Sequence, residues 1–197
     1  MARHFLIISN ELNLVLPIRY DDKGEPIIYA YHSPISTEVF TANYRILVAA
    51  NAAIWQRGSN YAAACASTAN LALLDAATAD AQERGIESQG PAFLAEIRRL
   101  TSVLAPAANG YEQLPVDIAI TRNIIDAADY NEVEAQICFF SVGYLLMPRA
   151  ARKVRCGLIA SALNGLITSS PPLESIKPLV ASTPVNDSIE IVSSEPS

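Results

Sequence analysis

The chain has 197 residues, 51% of them hydrophobic and 17% charged, enough for one full core and short for two. Its 14 Lys and Arg against 20 Asp and Glu give a formal charge of -6, which argues against a nucleic-acid binder relying on a broad basic surface. The apolar content excludes a wholly disordered chain, and eight Gly with twelve Pro exclude a collagen-like or linker-dominated one.

Leu12, Leu14, Leu16 and Ile18 recur at every second position, the period of a half-buried strand, and Asp21-Asp22-Lys23-Gly24 supplies turn chemistry before a return strand from Pro26 to Tyr31. Phe5 to Ile8 is a candidate further strand. An isolated hairpin is marginal in water, so this β region, residues 1–32, must lie on helices or on another sheet.

Ser36 is placed as the N-cap of a helix with Glu38 in its first turn, and Phe40, Tyr44, Leu47, Asn51 and Ile54 then recur on one face. Gly58 ends that helix and an alanine-dense one follows from Tyr61 to Glu83, stopped by Gly85; ten of the twenty residues from Ala62 to Ala81 are alanine, which lets a neighbour approach closely. A further helix is expected from Pro91 to Leu104, with Phe93, Leu94, Ile97, Leu100 and Leu104 inward and Arg98 and Arg99 outward. Pro106 to Pro115 reads as a loop and Val116 to Ala127 as a helix, with a strand as the alternative for part of it because of its isoleucines. Asn131 with Glu134 three residues on looks like a capping box, opening a helix to Met147 that turns apolar on all sides after Gln136. Such a segment is either central in the core or covered by another chain. Pro148 breaks the pattern, and Arg149 to Leu166 continues as a second apolar helix whose first turns carry Arg149, Arg152, Lys153 and Arg155. Those four cations resemble a phosphate or membrane patch, but no aromatic interleaves with them, and a solvated helix face is the simpler reading.

From Thr168 onward Ser, Pro, Thr and Val dominate, which reads as a flexible tail over residues 169–197; within it Ile189 to Val192 is a short β-prone island. The expected architecture is α+β and mostly α: a small N-terminal hairpin or sheet packed on about five to six helices, in a single domain over 1–168 with 36–168 helical. No apolar run reaches the ~20 residues a spanning helix needs. Cys65, Cys138 and Cys156 form no C-x-x-C pair, and with no basic leader preceding a cleavage site they suggest reduced thiols in an intracellular protein.

Reactive groups are sparse. His4 and His32 have no Cys, Asp or Glu cluster at ligand spacing, and no Walker loop, G-x-S-x-G, H-E-x-x-H or G-x-G-x-x-G occurs. The carboxylate pairs Asp21/Asp22, Asp126/Asp129 and Glu132/Glu134 all fall at turns or helix starts, where capping explains them. Tyr44, Trp55, Tyr61 and Tyr144 fit a core better than a pocket lining. The expectation is a protein with no catalytic residue, no metal and no cofactor.

The order of these elements resembles the tail assembly chaperones of long-tailed bacteriophages. The resemblance is carried by the N-terminal hairpin, Ser33-Pro34-Ile35-Ser36 leading to Glu38-Val39-Phe40, the Ala-rich middle, Glu132-Val133-Glu134-Ala135-Gln136-Ile137-Cys138-Phe139-Phe140-Ser141-Val142, and Met147-Pro148-Arg149-Ala150, across most of residues 10–170. It implies a non-enzymatic assembly factor that binds the tape measure protein, helps recruit tail tube subunits, is commonly made with a longer frameshifted form, acts in the host cell cytoplasm and is absent from the mature virion. Nucleic acid and membrane are not expected partners; self-association is a further expectation. The surplus of apolar helix makes Phe139, Phe140, Tyr144 and Leu145 the expected partner-binding residues. The alternative is a structural virion component such as a head-tail adaptor or minor tail protein, and a small enzyme using His4 or His32 is a third reading.

Overall fold

The structure, a computed structural model, describes residues 12–56 and 66–177. The expected strand at Phe5 to Ile8, His4, Gly58, Tyr61, Cys65 and the Ile189 to Val192 island lie outside the described residues. The first hairpin is as the alternation predicts: β1 (Asn13–Tyr20) and β2 (Pro26–His32) pair antiparallel, with Leu16 opposite Ala30. Asp21 Oδ1 accepts from the backbone N–H of Lys23 (2.9 Å) and Glu25 (2.8 Å), and Gly24 takes φ +82°, a conformation open to glycine at little cost.

The sheet is larger than that hairpin. Two strands, β3 (Thr101–Ala107) and β4 (Gly110–Pro115), occupy the stretch expected as a helix end and a loop, and β5 (Leu166–Thr168) pairs with the start of β1. The result is one five-stranded antiparallel sheet in the order β4-β3-β2-β1-β5. The expected helix from Pro91 to Leu104 therefore ends at Arg99. Leu100 and Leu104 fit a helical period, but Thr101 to Leu104 also alternates as a strand, and pairing Tyr29 to His32 with this segment satisfies its backbone. The loop is a hairpin because Ala108-Asn109 turns the chain and Gly110, at φ +112°, starts the return strand opposite Ala107 in a conformation open to glycine.

Helix α1 (Thr37–Gln56) begins where expected, with the Ser36 hydroxyl accepting from the Val39 N–H at 3.3 Å. Its neighbour α2 (Ala69–Arg84) buries Ala69, Ala72, Ala77 and Ala81, and Gly85 closes it at φ +63°. Arg45 of α1 ties the pair by reaching Asp80 and Glu83, both at 2.7 Å. Then follow α3 (Gly90–Arg99) and the short α4 (Val116–Thr121), which stops well before the expected Ala127. Helix α5 (Ala127–Tyr144) starts earlier than the Asn131 cap anticipated: Asp126 and Asp129 form the capping box, each side chain accepting from the other's N–H at 2.8 Å. Arg19 of β1 clamps that cap to the sheet, 2.6 Å from Asp129 Oδ2. After Pro148 comes α6 (Arg149–Ala162), shorter than the expected run to Leu166. The short α7 (Pro172–Ser175) brings the described helices to seven.

The helices bury one face of the sheet, where Leu14, Leu16 and Ala30 join a core containing Leu47, Leu73, Ile97 and Phe140. Val15, Tyr29, Tyr31 and Leu104 point the other way and are closed by Ile176. The tail boundary expected at residue 169 is thus too early, because the chain through Ile176 supplies the cover for this second face, with the Tyr31 hydroxyl donating to the Ser170 carbonyl at 3.0 Å.

Gly165 makes the return from α6 to β5 possible. A methyl group there would stand 2.5 Å from the Val15 carbonyl oxygen and 2.6 Å from Leu16 Cδ2. Gly165→Ala is expected to lower the stability by about 1–3 kcal/mol, seen as a lower denaturant midpoint at unchanged slope.

Candidate functional site

The four residues expected to bind a partner do not form a free surface. Phe139 is 6% exposed, Phe140 0% and Tyr144 5%, with Leu145 partly buried. The reason is the position of α5, against which α1, α2, α3, α6 and β1 all pack. An all-round apolar helix is the centre of its own core here, one of the two outcomes its sequence allowed. Phe140 stacks at 5.6 Å on Tyr144, whose outer face is covered by the Arg152 guanidinium at 4.9 Å. Arg152 also donates to the Met147 carbonyl at 3.2 Å, which removes it from the expected solvated face.

The apolar surface that does face solvent lies on the helices flanking α5. On α1 the row Tyr44, Val48, Ala52 and Trp55 is exposed, because the buried face is Ile46, Leu47, Ala50 and Ile54; Tyr44, expected inward, is outside. On α6 Val154 (68%) and Leu158 (67%) are exposed one turn apart. Between the two helices runs a cleft of about 230 Å³ whose walls are Trp55 and Ile54 of α1 and Arg155 and Ile159 of α6, and whose floor is Phe139, Gly143 and Met147. Trp55 is half-exposed at 49% and reaches Phe139 at 6.0 Å, so one ring joins the core to the cleft. Exposed apolar residues i, i+4 apart beside an apolar groove suit the ridge of another helix. The signal in the sequence was the alternative period on α1: Tyr44, Val48 and Trp55 share a face that the core reading absorbed.

A larger, more open concavity of about 850 Å³ lies beside α3, β3 and β4. Its two arginines are already engaged, Arg98 with Asp117 at 2.5 Å and Arg99 with Glu96 at 2.6 Å, so it presents ion pairs and no unmatched charge of theirs.

His32 is fully buried and bridges three elements. Its Nδ1 is 3.0 Å from Thr101 Oγ1 and its Nε2 3.3 Å from Ser141 Oγ. The Thr101 hydroxyl donates to the Ile97 carbonyl at 2.7 Å, so it accepts from Nδ1–H, and Nε2 is the bare nitrogen that accepts from Ser141. A Ser–His contact of this kind is found in nucleophilic sites, but both side chains are sealed between sheet and helix, and they serve here to satisfy one another. Burial pushes the imidazole down to about 3, against a small opposing pull from Glu96.

Cys138 and Cys156 are also buried; burial pushes Cys138 well up and Cys156 to about 11, so both are held as thiols. The carboxylates separate by role. Asp21 shapes a turn and Asp126 with Asp129 caps α5, while burial raises Glu134, opposed by the Arg98 guanidinium. Among the described residues no group of three His, Cys, Asp or Glu side chains is placed to hold a metal, and no helix is long and apolar enough to cross a membrane.

Comparison with known proteins returned no matching family, no matching curated protein and no matching solved structure.

Two outcomes are expected from these placements. Phe140→Ala should cost about 3–5 kcal/mol of stability, whereas Trp55→Ala should stay within about 1 kcal/mol of the parent in the same urea titration. His32 has a folded-state value below its ordinary 6.5, so its stabilising contribution is complete above that pH and is lost as the pH falls toward about 3. The slope from this group approaches about 1.4 kcal/mol per pH unit in that window. Urea midpoints across the window should fall less steeply for His32→Gln than for the parent.

Proposed function

We propose that this chain is a non-enzymatic tail assembly chaperone of a long-tailed bacteriophage, which holds a helical segment of the tape measure protein and assists recruitment of tail tube subunits. The observation that carries the reading is the groove between α1 and α6, where half-exposed Trp55 stands beside an apolar floor of Phe139 and Met147, with exposed Val154 and Leu158 on an adjoining outer face of α6. An unpartnered apolar groove on an acidic chain is what a helper of aggregation-prone helices needs: surface to cover the client and net charge to keep the pair dissolved. Two segments behind the resemblance converge on it, since Phe139, Met147 and Pro148 line the cleft. On this reading the protein acts in the host cell cytoplasm and is left behind when the virion is complete.

Co-expression with the tape measure protein of the same phage tests it. A soluble complex is expected, and Trp55→Asp should weaken it at least tenfold while Tyr20→Asp, at the far end of the hairpin, should not, because an anchor in a desolvated groove typically contributes about 2 kcal/mol or more. Mass spectrometry of purified particles is expected to find the chain absent. Its presence in stoichiometric amount would instead mark a structural virion component, and failure of the complex to form would remove the chaperone reading.

A further inference from the structure

The sheet ends at β4, and the register of that strand leaves backbone groups without partners. Pairing of β3 with β4 runs unbroken from Ala107↔Gly110 to Ser102↔Pro115. Antiparallel pairs alternate between those that exchange two N–H···O bonds and those that exchange none. Pro106 and Pro115 have no N–H, so Pro106↔Tyr111 and Ser102↔Pro115 are of the second kind, and Leu104↔Gln113 between them follows by alternation. Tyr111 and Gln113 therefore turn their N–H and C=O groups away from β3, and among the described residues no backbone group bonds to them there. An open edge of this kind is a template for other strands, and proteins blunt it with a lysine, a bulge or a covering segment. β4 has neither lysine nor bulge, and its one charged side chain, Glu112, is engaged by Arg122 at 3.4 Å.

Two observations name the segment that covers this edge. The chain is delivered to the place: α7 packs against β4, and Ile176 belongs to the apolar cluster against which Tyr111 packs, one residue before the described chain stops at Lys177. Beyond that point, Ile189-Glu190-Ile191-Val192 is the β-prone stretch of residues 178–197. The 12 residues 178–189 span up to about 40 Å when extended, against about 20 Å for the six residues of β4. That tether reaches the whole edge and holds the stretch beside it at an effective concentration of about 1 mM. Residues 5–8, the other β-prone stretch outside the described residues, lead into β1, three positions away from β4 in the sheet.

We infer that residues 188–192 add to β4 as a sixth, antiparallel strand, closing this edge within the same molecule. The side chains set the register. Glu112 and Leu114 face one side of the sheet, Tyr111 and Gln113 the other. With Glu190 opposite Gln113, its charge stays off the Glu112 side, Ile189 lies beside Leu114 and Val192 beside Tyr111. Glu190 and Val192 then exchange backbone hydrogen bonds with Gln113 and Tyr111, the residues whose groups are open. A parallel strand at the same level would set Ser188 beside Tyr111 and Ile189 beside Glu112, a poorer match. The groove between α1 and α6 plays no part in this closure.

Amide hydrogen exchange on the whole chain, read residue by residue by NMR, tests it. The Tyr111 and Gln113 amides should exchange at least about tenfold more slowly in the parent than in E190P/V192P, which removes the two N–H groups assigned to β4. S194P, beyond the segment, should leave both amides protected. A cross-peak between the Hα protons of Glu112 and Ile191 should mark the antiparallel register, because residues in such a non-hydrogen-bonded pair stand about 4.5 Å apart at Cα. It is read on the unaltered chain and stands whatever the variant does. Fast exchange of both amides in the parent overturns the inference, and so does protection that survives E190P/V192P. Protection that disappears on dilution, together with a dimer in sedimentation, would show strand addition between copies and overturn the closure within one molecule. A cross-peak from Ile191 to Leu114 instead would overturn the antiparallel register.

Discussion

The fold is organised around the burial of α5. From Ile137 to Tyr144 every residue of this helix is removed from solvent, and four other helices and β1 close around it. A helix so apolar has no water-facing side, and the free energy of covering it is what draws separate elements together. Polar links then fix its position at three levels. Arg19 holds the Asp126–Asp129 cap to the sheet, Ser141 reaches His32 under β2, and Arg152 covers Tyr144 at the exit. The Arg19 and His32 links pair groups of matching charge or hydrogen-bonding sense, which lets polar atoms sit against an apolar core at little cost, whereas Arg152 is held by one carbonyl and the Tyr144 ring and leaves its buried Nε without a hydrogen-bond partner.

This arrangement decides where apolar surface is left over. Because α5 occupies the centre, the flanking helices α1 and α6 each turn one face inward and retain a second apolar row outside, at Tyr44, Val48 and Trp55 and at Val154 and Leu158. The cleft forms at the α5 exit, over Phe139, Gly143 and Met147, between the two flanking helices. Core and groove are continuous through the Trp55–Phe139 contact, so a helix docked there, as we propose, would extend the packing the fold itself uses.

The sheet plays a supporting part with both faces occupied. Helices cover one, and the chain from Leu166 to Ile176 covers the other through β5, the Ser170 carbonyl and Ile176 itself. Gly165 permits this by letting the backbone pass against Val15 without a side chain between them. The same return ties α6 to the sheet: the helix that lines the cleft with Arg155 and Ile159 leads through a short turn into the edge strand β5.

The amino-acid sequence alone determined what local chemistry can determine. Alternation and Asp21 to Gly24 specified the first hairpin, Ser36 and Gly85 specified helix ends, and Pro148 separated α5 from α6, all through interactions spanning a few residues. The turn before Gly110 and the Asp126 cap were equally local and equally present, but stronger-looking periodic patterns masked them. Tertiary structure decided what depends on partners distant in the chain: that Thr101 to Leu104 pairs with β2 and leaves the helix, that Ile176 covers the sheet, and above all that Phe139, Phe140 and Tyr144 are core while Trp55 and Leu158 face water. Apolar side chains are driven from water with little regard for what receives them, so composition sets how much surface must be covered. Only the packing of distant elements selects which residues are covered from within and which are left for another molecule.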